Sequence, residues 1–80
     1  MNDSKKEEAK NDIAWQHLDQ GKRQFEEEKY EDALYNFKKC LILAEDNDNE
    51  AELLANFFIG ETLYTVGLDL ERARAHLVDF

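Results

Sequence analysis

Proline is absent from the 80 residues, glycine occurs only at positions 21, 60 and 67, and Cys40 is the single cysteine. With no proline and so little glycine, helix dominates by exclusion. One cysteine gives no disulfide framework, which points to a reducing compartment. No apolar run approaches the ~20 residues of a membrane span; the longest cluster, Leu53 to Ile59, is broken by Asn56. The N-terminal MNDSKKEEAKND has no apolar stretch of the secretory kind. Basic residues are few: 10 Lys and Arg against 19 Asp and Glu leave a net charge of −9. Nucleic acid and anionic membranes both call for a basic face, so neither is an expected partner. What remains is one small, soluble, cytoplasmic domain whose acidity serves solubility or a basic partner.

The residues that chemistry needs are also missing. His17 and His76 have no zinc-like neighbours and there is no H-E-x-x-H; both read as surface or boundary histidines. Asp46, Asp48 and Glu50 alternate like the opening of a calcium loop, but Ala51 and Phe57 stand where that loop needs glycine and a bidentate acid. No glycine-rich phosphate loop is present, and nothing places two carboxylates in an apolar pocket. Cys40 falls within an apolar stripe and reads as an inert core residue. The expectation is no enzyme, no metal and no cofactor. The acidic run Glu26, Glu27 and Glu28 reads as a solvated helix end, with docking of a basic partner as the other reading.

Periodicity divides the chain into a polar tail over 1–11 and a helical domain over 12–80. Ser4 and Glu7 have capping-box spacing, which would make the tail a helical extension. A first helix is expected from about Asp12 to Glu28, with Ala14, Leu18, Gly21 and Phe25 on one face. A second, Tyr30 to Ala44, carries an apolar stripe of Tyr30, Ala33, Leu34, Phe37, Cys40, Leu41 and Ala44. The segment 45–49 (EDNDN) is a turn. A third helix is expected from about Asn49, with Glu52 as capping partner, to Val66. It is apolar on more than one side. Gly67 would end it in a left-handed conformation and Asp69 would cap a fourth helix bearing Leu70, Ala73, Leu77 and Phe80. That last stripe still runs at Phe80, as in a fragment or an end that packs on a partner.

Gly21, Phe25, Tyr30, Ala33 and Phe37 recur as Gly60, Tyr64, Leu70, Ala73 and Leu77, offset by 39 for two pairs and 40 for three. Self-similarity at this period marks stacked helical repeats. The unit AWQHLDQGKRQFEEEKYEDALYNFKKCLIL resembles the tetratricopeptide repeat, a helix-turn-helix of about 34 residues. Gly21 and Ala33 would be its close-contact pair, Tyr30 would seal the turn, and Phe37 keeps the A-x-x-x-F spacing. The resemblance covers residues 14–80. It departs at Gln20, where the motif has leucine, at Cys40, where alanine is usual, and in the missing proline and longer turn.

The resemblance implies an all-α fold of four antiparallel helices, in two stacked hairpins with right-handed superhelical curvature, unit one over 12–45 and unit two over 49–80. It also implies a non-catalytic scaffold or adaptor that takes a peptide or helix in a concave groove. By matched position the groove residues are Trp15, Leu18, Lys22, Leu54, Phe57 and Glu61. Each has a plainer reading: Trp15 as a lid on the first hairpin, Leu18, Leu54 and Phe57 as core, Lys22 and Glu61 as solvated charges. Lys22 alone is not the lysine–asparagine clamp of repeats that grip acidic heat-shock chaperone tails, and that partner is not expected. ELLANFFIGETLY after an acidic turn is similar to a helix of histone chaperones, so a chaperone for a basic protein is the alternative. Self-association is a third reading, because two units fall short of the three that such arrays need; a homodimer through the C-terminal helix would meet that need.

Overall fold

The structure, a computed structural model, describes residues 2–78, with side chains at 9–72 and at 74. Among the described residues there are three helices and no strand: α1 (Asn2–Glu26), α2 (Tyr30–Ala44) and α3 (Asn49–Val78). The all-helical fold and the limits of α2 agree with the periodicity. Helix α1 begins ten residues before the expected Asp12, so the polar segment continues it. The Ser4 and Glu7 side chains lie outside the described residues, as do those of Ala73, His76, Leu77 and Phe80.

Helices α1 and α2 pack as an antiparallel pair. Their closest approach is at Gly21, where an added Cβ would sit 2.6 Å from Phe37 Cε1 and 3.2 Å from the Ala33 carbonyl oxygen. Gly21 and Ala33 are the pair expected to approach here, and Phe37 proves the nearer neighbour. Across the turn Phe25 and Tyr30 meet edge to face with centroids 5.5 Å apart, an arrangement that aromatic quadrupoles favour. The turn closes with a Schellman pair: Lys29 N–H donates to the Gln24 carbonyl and Glu28 N–H to that of Phe25. Glu28 occupies the left-handed position, φ 63°, where glycine is usual.

The α2 stripe then buries Ala33, Phe37, Cys40 and Ala44 against Ala14 and Leu18 of α1 and Ala51 and Ala55 of α3. Small residues at these positions let three helices meet closely, and the stack of Phe37 on Phe58, 5.2 Å between centroids, supplies the bulk. The chain leaves α2 through Asp46, also left-handed at φ 66°.

Helix α3 starts where expected, but its cap is Asp48, not the Asn49–Glu52 pair. Asp48 Oδ1 accepts the Ala51 N–H at 3.1 Å, which satisfies one of the donors that a helix start leaves free. The larger correction is at Gly67. The expected left-handed stop there, and the fourth helix from Asp69, are absent: α3 continues to Val78, and no glycine among the described residues has positive φ. A glycine within a helix costs only ~1 kcal/mol relative to alanine. Breaking the helix would cost more unless the returning segment found a surface to cover. With three helices no second hairpin forms among the described residues, and the molecule is 65 Å long.

Candidate functional site

Lys22 on α1 and Phe58 on α3 meet along the seam where these two helices run side by side, with Phe57 packed on Phe58. The Lys22 ammonium lies 5.7 Å from the Phe58 ring centroid, within cation–π reach. Phe57 packs edge to face on Phe58 at 5.4 Å and is itself 57% exposed. Glu61 is exposed one turn further along. The seam therefore offers an aromatic step beside one positive side chain, with an exposed carboxylate one turn along α3.

Of the six residues assigned to a groove, Lys22, Phe57 and Glu61 are accessible there, and Leu54 is half-buried against the core. Leu18 is not available: at 1% exposure it belongs to the core, as its i, i+3, i+4 company with Ala14 and Gly21 requires. Trp15 is half-buried and its indole N–H donates to Asp48 Oδ2 at 2.8 Å. That bond closes α1 over the α2–α3 turn, the lid reading. Asp48 thus accepts from both Trp15 and Ala51, and these two hydrogen bonds, Ala51 first, hold its carboxyl below the usual range against the opposing effect of burial.

Two further features bear on chemistry. Burial pushes the Cys40 thiol up to about 11, with the nearby Asp48 charge as the second cause. Such a thiol is neutral and unreactive at neutral pH. Tyr30 is raised as well, by desolvation first and then by Glu28 and Asp69. The effect of Asp69 places that stretch of α3 beside the α1–α2 turn.

A polar cluster was not anticipated from sequence. Asn36 is buried in the middle of the α2 stripe. Its Nδ2 donates to Gln24 Oε1 at 2.6 Å and to the Asp32 carbonyl at 3.2 Å, and its Oδ1 accepts from His17 Nδ1 at 2.8 Å. His17, Asn36, Gln20 and Arg23 line an open cleft of about 400 Å³ on this side. Every polar group of Asn36 is paired within the fold, so the cluster sets the register of α1 on α2. The signal was present: Asn36 stands three residues after Ala33 and four before Cys40, on the buried face.

The chain matches no protein-family model, no curated protein and no solved structure. Among the described residues no helix is long and apolar enough to cross a membrane.

Proposed function

We propose that the chain is a non-catalytic protein-interaction module that docks a peptide or helix along the α1–α3 seam. The observation that carries this reading is the exposed Phe57 beside Lys22, Phe58 and Glu61: an aromatic anchor with charges of both signs to fix register. In this reading α1 and α2 form one tetratricopeptide-like unit and α3 supplies the first helix of a second. A complete second hairpin, with right-handed curvature, would require α3 to break near Gly67. The buried, unpaired Cys40 suits a reducing compartment such as the cytoplasm.

A second reading, a chaperone for a basic protein such as a histone, is favoured by the α1–α2 turn. Glu26, Glu27, Glu28, Glu31 and Asp32 are all exposed there, and the ion pair of Lys29 with Glu27 at 3.2 Å takes up only one of them. The two readings separate by salt. The isolated domain is used to capture partners at low and at moderate ionic strength, as wild type and as Phe57→Ala. Retention that survives the higher salt and is lost with Phe57→Ala supports seam docking. Retention that collapses with salt and ignores Phe57→Ala supports the basic-protein reading, and retention indifferent to both contradicts each.

A further inference from the structure

Helix α3 is apolar on two sides, and only one of them is used. Ala51, Ala55 and Thr62 are buried beneath α1 and α2, while Leu53, Phe57, Leu63, Tyr64 and Leu70 are between 54% and 70% exposed. With Gly60 and Gly67 they form a second stripe: 53, 57, 60, 64, 67 and 70 recur at spacings of three and four, which keeps them on one broad helical face, and Leu63 lies beside it. Neither glycine has anything within 4 Å of where a Cβ would stand, and Gly67 opens a notch of about 190 Å³ lined by Tyr64, Gly67, Leu68 and Glu71.

We infer that this stripe pairs with the same stripe of a second copy of the chain, antiparallel, about a twofold axis at the level of Thr62. In that register both glycines face an aromatic ring. Phe57 of each copy falls opposite the Gly67 notch of the other and Tyr64 opposite Gly60, while Leu53 comes within one position of Leu70, so bulk meets space at the glycines. The ends agree in charge: Arg72 and Arg74 of one copy come level with Glu50 and Glu52 in the first turn of the other. An isologous contact needs this reciprocity. Each copy offers five large apolar side chains, all more than half exposed, for burial at such a contact. A single chain cannot cover the stripe itself, because the residues that complement 53–60 lie further along the same straight helix.

The inference does not rest on seam docking; the two surfaces share Phe57 and no other assigned residue. The test therefore varies Gly67 and reads mass, not partner capture. Sedimentation of the full chain across a concentration series is expected to show a monomer–dimer equilibrium. Gly67→Leu fills the notch from an open helical position and is expected to raise the dimer dissociation constant about tenfold or more while leaving the helical signal intact. In a Cys40→Ala background, mixing Phe57→Cys chains with Gly67→Cys chains is expected to yield the mixed disulfide ahead of either like pair. A monomer at every concentration overturns the inference, as does a dimer whose dissociation constant Gly67→Leu leaves unchanged. A dimer cross-linked mainly through like pairs overturns the register.

Discussion

The glycine–aromatic motif occurs twice, and its two copies end in opposite situations. At Gly21 a Cβ would collide with Phe37, a side chain with no exposed surface and no room to yield. At Gly60 nothing lies within 4 Å. Both copies keep the glycine, an aromatic four residues on and the alanine of the returning segment. What differs is the returning helix: α2 folds back over Gly21, whereas the matching segment beyond Gly67 continues outward in α3. A motif for close helix approach specifies a docking surface, and a partner is still needed to occupy it.

The largest expected effect sits at the closed copy. Phe37→Ala empties the space over Gly21 and beside Phe58 and should destabilise by ~3–5 kcal/mol, a large share of the stability of so small a domain. Leu70→Ala, on the open copy, should change the denaturation midpoint of the dilute protein little, within about 0.5 kcal/mol. Equal losses at the two sites would break the comparison.

Substituting the glycines sharpens it. Gly21→Ala should cost ~1–2 kcal/mol, since overpacking against Phe37 and the Ala33 carbonyl outweighs the gain in helix propensity. Gly60→Ala should stabilise by up to ~1 kcal/mol, because only the propensity gain remains. Chemical denaturation of both variants checks the opposite signs.

Cys40 reports on how tightly the closed region is sealed. As pH rises the unfolded thiol ionises near 8.5, while the folded one stays protonated until about 11. The unfolded state therefore loses its proton first, and stability should fall across that window by up to ~3 kcal/mol. Cys40→Ala should remove that part of the decline. The last substitution has the opposite sign. Glu28 holds φ 63° without being glycine, so Glu28→Gly should stabilise the hairpin by ~1 kcal/mol, measurable as a raised melting temperature.

The difference between the two copies also explains what could be read in the sequence. The Tyr30–Ala44 helix and the Gly21–Ala33–Phe37 contact were legible because apolar period and close approach are local properties of helices that do pack. The continuation of α3 through Gly67 was not, since glycine in a helix and glycine at its end are told apart by whether a partner rewards the turn. Leu18 reads as core first and groove second, and matched position alone assigns it to the groove, because periodicity gives a face without saying what covers it. Asp48 escaped notice as the α3 cap because four adjacent residues in the 45–49 turn could serve, and the bond to Trp15 that selects it spans 33 positions.

Amide hydrogen exchange along α3 in dilute solution tests the central contrast most directly. Strong protection over 51–62, beneath α1 and α2, falling away over 66–76 is the predicted profile, because the outer turns open locally without unfolding the core. Protection as strong over 66–76 as over 51–62 at the lowest concentration would mean that the outer half is covered within a single chain, and the open copy would not exist.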